Sequence, residues 1–352
     1  MGDVDQVKRF GEHRNGFGFL RLLFASLVIV SHTPELIDGN RSREILTRIF
    51  GTISFGDLAV DCFFIVSGYL ITASFCKNPS IGRFGLKRVA RIYPGFIVCW
   101  LICLLVVSPM GGGNVAFSMS LAARSLVRIA ALQGVVLTDA FQGAHFQILN
   151  GSIWTIAYEF RCYILAGLLG TCGAFRRPAL IAGMSATLML LFKIVPSPTW
   201  DHLGSNHLLT NATGLPISTC RLTAIFLAGS AFYLFREKII YSGGRAMIAA
   251  ALLIGCLFVP YLAEPALASC GAYLIFWFAD WAGSKLISNI NNKNDVSYGL
   301  YLYAWPIEKL LIMAWPEVSI GAAILITFAA SYVLGWLSWL TIEKPALRLL
   351  AR

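Results

Sequence analysis

Ten apolar stretches, each close to the ~20 residues that cross a bilayer, follow one another along this chain. They lie at about 17–33, 54–75, 92–109, 152–171, 178–195, 215–235, 246–262, 264–281, 297–314 and 318–341. The runs are continuous, not alternating, and irregular backbone cannot face lipid, so the spanning elements are read as helices. Composition agrees. Of 352 residues 57% are hydrophobic and only 13% charged, against roughly 25% charged in a soluble domain. The expected fold is all-α: a polytopic membrane protein with about ten transmembrane helices.

Lysine and arginine orient it. With the N-terminus in the cytoplasm, Lys8, Arg9, Arg14, Lys77, Arg83, Lys87, Arg88, Arg91, Arg176, Arg177, Arg236, Lys238, Arg245, Lys285, Lys293, Lys344, Arg348 and Arg352 fall inside. Only Arg41, Arg43, Arg48, Arg124 and Arg128 fall outside, and Arg21, Arg161, Lys193, Arg221 and Lys309 lie within spans. That asymmetry is the positive-inside pattern, so both termini are expected in the cytoplasm. It also absorbs the net charge of +10, which in a soluble chain would suggest a nucleic-acid partner. None is expected here, while membrane lipids are. The first apolar run shows no cleavage site and reads as retained. Nine cysteines are scattered without a CxxC pair or a Cys/His spacing, so neither a disulfide framework nor a metal site is expected.

Residues 1–352 read as a single transmembrane domain, without internal repeats. Residues 110–150 form a long outer (periplasmic) loop, in which Ser120 to Val136 has the spacing of an amphipathic surface helix. A second polar outer loop, 196–214, carries His202 and His207.

A charge in the bilayer centre costs about 2.5–3.5 kcal/mol on insertion scales, so each intramembrane charge asks for a partner or a task. Arg21 and His32 are eleven residues apart, roughly 20° past three full turns with a rise of about 16 Å, and so share a face of the first helix. That suits a site reached from both sides of the membrane. The plainer alternatives are an arginine snorkelling to the inner interface and a histidine ending the span beside Thr33-Pro34. In span two Asp57 and Asp61 are i,i+4 neighbours. Asp57 could be a cap, whereas Asp61 is expected in the outer half with His32, where it could orient the imidazole. Arg88 and Arg91 share a face and could clamp phosphates, or could be a topology cluster. Glu159 in span four is read as a catalytic carboxylate or as one half of a salt bridge with another span's arginine, with Tyr163 on its face. Lys309 needs a partner that the sequence does not name.

Arg21-x10-His32, the GDLAVDCFFIVSGYLI stretch, Arg88-x2-Arg91 with Tyr93-Pro94, SIWTIAYEF, SYGLYLYAWP and Glu343-Lys344-Pro345 occur in this order from residue 15 to 348. The set resembles the acyltransferase-3 family of bacterial integral membrane O-acyltransferases. The resemblance implies transfer of an acyl group, usually acetyl from acetyl-coenzyme A, to a hydroxyl of an extracytoplasmic glycan, with succinyl-coenzyme A as an alternative donor. It implies His32, Asp61 and Glu159 as catalytic residues, Arg21, Arg88 and Arg91 on the acyl-coenzyme A, and Ser297, Tyr298 and Tyr163 on the carbohydrate acceptor. The expected place is the bacterial cytoplasmic membrane. One position departs: many members carry a histidine where this chain has Ala304, so a two-histidine mechanism is not expected unless His145, His202 or His207 substitutes. The length also leaves no room for an appended soluble domain. A transporter or flippase for a lipid-linked glycan is the alternative function, since it too would use intramembrane charge.

Overall fold

The computed structural model describes residues 15–137, 139–206, 210 and 213–349, and every regular element among them is helical. Lys8, Arg9, Arg14, His207 and Arg352 lie outside the described residues. The main helices are α1 (Phe17–Asp38), α2 (Phe55–Lys77), α3 (Ile81–Ile102), α4 (Met119–Ala130), α5 (Trp154–Thr171), α6 (Pro178–Ile194), α7 (Pro216–Leu234), α8 (Gly243–Leu257), α9 (Ala272–Ala282), α10 (Ser297–Ala314) and α11 (Ile320–Ser338). Their starts follow local chemistry. Pro178 and Pro216 occupy first turns, where no amide donor is needed. Ser118, Ser242 and Ser319 accept from the backbone amides of Leu121, Arg245 and Ala322.

Five helical segments are long and apolar enough to cross a membrane: Phe17–Asp38, Phe55–Lys77, Ile81–Met110, Pro216–Leu234 and Ile320–Leu349. A sixth results if Pro178–Ile194 and Ser197–Gly204, bent by 103°, form one span. The chain is thus a multi-pass helical membrane protein. Each of the ten expected runs contains helix, but Gly243–Leu257, for example, has only 15 residues. Two boundaries move outward. α1 continues past Thr33-Pro34 to Asp38, and α3 starts at Ile81, eleven residues before the expected span, so Pro94 sits inside it. A proline cancels only the bond to the carbonyl four residues back, and a helix that keeps its other bonds passes through. In the long loop α4 ends at Ala130, six residues short of Val136.

The described residues fall into two compact units. The first runs up to Arg21 and includes Val60–Gly85 and Tyr158–Asn292. Within it α2 and α7 touch backbone to backbone. A Cβ on Gly68 would lie 1.9 Å from the Phe226 carbonyl oxygen, and one on Gly229 2.0 Å from that of Ile65. Small residues at membrane helix crossings permit this approach. Tyr69, beside Gly68, packs on Phe276 at 4.5 Å and edge-on to Tyr233 at 5.2 Å.

The second unit holds Leu22–Ala59, Leu86–Ala157 and the chain from Lys293 on. Here α10 and α11 meet at Gly299 and Gly335, where a Cβ on Gly299 would lie 2.5 Å from the Gly335 Cα. α10 also carries Pro306, which cannot donate to the carbonyl of Leu302. The Asn150 amide donates to that carbonyl instead, at 2.8 Å. Tyr301 donates to the Ser152 carbonyl and accepts from Thr155 at 2.6 Å. The SYGLYLYAWP and SIWT segments are thereby bolted together.

Candidate active site

In the second unit His32 lies on α1 with its side chain 15% exposed, and its Nδ1 is 2.8 Å from Glu35 Oε2. Glu35 is one turn further along the same helix, at the i,i+3 spacing that brings side chains together. Its other oxygen receives Arg41 Nε at 3.2 Å, and Arg41 Nη1 reaches Asp57 at 3.4 Å. Asp57 in turn accepts from the Ser54 hydroxyl at 2.6 Å and starts α2. The indole of Trp305 meets the imidazole edge-on, with ring centroids 4.8 Å apart. A carboxylate that accepts from Nδ1–H leaves Nε2 with its lone pair, the form of histidine that removes a proton.

Asp61 is paired with an arginine. It is fully buried and belongs to the first unit, where Arg221 Nη2 donates to its Oδ1 at 2.6 Å. The carboxylate on His32 is that of Glu35, and the demand met by Asp61 is the intramembrane charge of Arg221. Glu159 is likewise no partner of an arginine among the described residues. The Ser67 hydroxyl donates to its Oε1 at 2.9 Å, and so does Tyr163. Glu159, Tyr163 and Ser67, the serine of the VSGY stretch, form one polar cluster in the first unit.

The arginines separate. Arg91 is 16% exposed and donates to Asp295 at 2.6 Å and to Glu343 at 3.4 Å, with its guanidinium over the rings of Tyr298 and Trp339 at 5.6 Å each. That arginine ties α3 to the start of α10 and to the Glu343-Lys344-Pro345 end, with Nη2 on Asp295 and Nη1 on Glu343. Arg88 is half-buried on α3, and Arg21 is half-buried on α1. Ser297, expected on the acceptor, is 1% exposed, and its hydroxyl donates to Asp295. Tyr298 donates to the Ile92 carbonyl at 2.9 Å. The Tyr298 hydroxyl therefore links α10 to α3, and that of Ser297 closes the first turn of α10.

The remaining intramembrane charges find partners. Lys309 donates to the Phe146 carbonyl and lies 4.5 Å from the Phe141 ring. Lys193 donates to the Pro260 carbonyl at 2.7 Å and pairs with Glu264. The Arg161 guanidinium stacks on Tyr158 at 5.2 Å. Ala304 is buried. Of the outer-loop histidines, exposed His145 packs against Gly39, where a Cβ would lie 2.6 Å from its Nδ1. His202 is exposed on Ser197–Gly204.

Sequence reasoning passed over Glu35, Asn150 and Asp295. Glu35 carried a legible signal in its spacing from His32, and Asn150 in Pro306, which frees a carbonyl that some donor must meet. Asp295 offered no such signal.

The family model for the acyltransferase domain, acyltransferase-3, matches residues 14–340. The chain is 26% identical to an O-acetyl transferase of Shigella phage Sf6, over 94% of this chain and 95% of that one. It is 25% identical to nodulation protein 10 of Rhizobium leguminosarum, over 96% and 94%. With the peptidoglycan O-acetyltransferase OatA of Listeria monocytogenes it shares 24% identity over 88% of this chain but 55% of that longer protein. No solved structure matches. The family match over nearly the whole length, on helices long and apolar enough to span a membrane, means that this chain belongs to the acyltransferase-3 family and is a membrane acyltransferase.

Proposed function

We propose that this enzyme moves an acyl group, acetyl in the first instance, from cytoplasmic acyl-coenzyme A to a hydroxyl of an extracytoplasmic polysaccharide or lipid-linked glycan. It does so as one membrane domain of about ten spans in the bacterial cytoplasmic membrane, with both termini cytoplasmic and 110–150 as the periplasmic loop. The His32–Glu35 pair carries this reading. Glu35 holds the Nδ1 proton, so Nε2 takes the proton of the acceptor hydroxyl as its oxygen attacks the thioester carbonyl. The C–S bond breaks, the new ester bond forms, and the leaving thiolate of coenzyme A takes up the proton held on Nε2. Histidine is returned neutral.

Arg21 and Arg88 are proposed to meet the anionic donor. Glu159, with Ser67 and Tyr163 on its carboxylate, is proposed to handle the acceptor. Acetyl and glycan are supported by the names of two relatives, an O-acetyl transferase and a peptidoglycan O-acetyltransferase, while succinyl-coenzyme A would use the same chemistry. The transporter alternative gives way, since family membership makes the chain an acyltransferase.

The test is mass spectrometry of surface glycans from a strain lacking this gene. The reading expects loss of an acyl substituent of acetyl or succinyl mass, restored by the wild-type gene and not by His32→Ala. An unchanged glycan spectrum, or restoration by His32→Ala, contradicts it.

A further inference from the structure

One buried acid takes no part in the chemistry above. Glu308 lies on α10, four residues after Ala304 and three after Trp305, whose indole meets His32. It is 1% exposed, and its Oε1 is in hydrogen-bond contact with Thr33 Oγ1. Thr33 follows His32 directly. Oε2 has no hydrogen-bond partner, and no cation pairs with this carboxyl among the described residues. The adjacent lysine is turned elsewhere, to the Phe146 carbonyl.

Proton bookkeeping on Thr33 decides the state of this group. Its Oγ1 contacts two acceptor-type oxygens, Glu308 Oε1 and, at 2.9 Å, the Ile29 carbonyl. A hydroxyl has one proton to donate. Were Glu308 a carboxylate, Thr33 would have to abandon one of the two contacts, and the charge would rest on a single neutral donor in a buried site. With a proton on Glu308, both contacts are hydrogen bonds: Glu308 donates to Thr33 Oγ1, and Thr33 donates to Ile29. A carbonyl oxygen has two lone pairs and accepts this second bond beside its helical one.

We infer that Glu308 is a protonated carboxylic acid that positions His32 by fixing Thr33, the next residue of the same helix, from α10. Together with Trp305 it clamps α1 at the catalytic histidine. Glu308 touches no reacting atom and keeps its proton through the cycle. The inference rests on the role proposed for His32.

The test uses the full-length enzyme in proteoliposomes with acetyl-coenzyme A and a hydroxyl acceptor. Glu308→Gln, whose amide donates to Thr33 as the acid does, keeps kcat within about twofold. Glu308→Ala and Thr33→Val each lower kcat roughly tenfold, equivalent to about 1.4 kcal/mol, with donor KM unchanged. The double variant loses no more than either single one, since both break one contact. Infrared spectra of the wild type contain a protonated-carboxyl C=O band that Glu308→Gln removes. Loss of activity in Glu308→Gln equal to that in Glu308→Ala, additive losses in the double variant, or absence of the band each overturns the inference. His32→Ala separates the two levels. If it is inactive while Glu308→Ala has wild-type kcat, only the Glu308 assignment fails; if His32→Ala is active, the catalytic reading itself has failed.

Discussion

Replacing Glu35 tests how the histidine is set. The bond from His32 Nδ1 to Glu35 Oε2 is 2.8 Å long between side chains only 15% and 14% exposed. A hydrogen bond to a charged group contributes about 1.5–3 kcal/mol, and that range suits a pair shielded to this degree. If the bond is needed to keep Nε2 in its acceptor form during transfer, Glu35→Ala loses that amount from the transition state. The loss corresponds to roughly 10- to 150-fold in kcat. Arg41, at 39% exposure, adds little, because exposed ion pairs contribute about 0–1 kcal/mol. Glu35→Gln should fall as far as Glu35→Ala or further, since its amide can donate to Nδ1 and place the ring proton on Nε2. The assay is transfer of labelled acetyl from acetyl-coenzyme A in proteoliposomes, with initial rates at saturating donor. Protein recovery by gel filtration is measured in parallel. A Glu35→Ala enzyme with kcat within twofold of wild type, beside an inactive His32→Ala, would refute the reasoning.

Three further outcomes follow from contacts described above. Asn150→Leu leaves the Leu302 carbonyl only the Cys99 thiol, a weak donor at 3.3 Å, and should cost about 1 kcal/mol of stability, read as a lower melting temperature in detergent. Pro306→Ala restores the missing amide donor, so in that background Asn150→Leu should cost much less; equal costs would contradict the link. Gly68→Val should abolish recovery of folded enzyme, because its Cβ meets the Phe226 backbone at 1.9 Å, and a well-folded variant would show that the helices part easily. Arg91→Ala should lower stability, whereas Arg88→Ala should mainly raise KM for the acyl donor; the reverse pattern would return Arg91 to the donor site.

The helices were legible because apolar runs of bilayer length admit little else. Their boundaries were less so, since a proline reads as a stop although α1 and α3 pass through Pro34 and Pro94. That misreading hid Glu35, which seemed to lie beyond the end of its helix. Long-range partners were hidden for a different reason. Asp61 and Arg221 are 160 residues apart, and both were identified as costly charges, but nothing in one sequence says which charges meet. The same holds for Arg91 with Asp295 and Glu343. The motif residues Ser297 and Tyr298 also serve packing: Ser297 donates to Asp295 at the start of α10, and Tyr298 donates to the Ile92 carbonyl of α3. Segments that stand out in a sequence can owe it to packing as much as to chemistry.

The account turns on His32 as the group that activates the acceptor, and one measurement addresses it directly. Proteoliposomes carrying wild-type enzyme or His32→Ala are given radiolabelled acetyl-coenzyme A on the side of Arg88 and a glycan acceptor on the other. The account predicts label on the acceptor with wild type and none above background with His32→Ala, at equal amounts of folded protein. Label on the acceptor at a comparable rate with His32→Ala would contradict it.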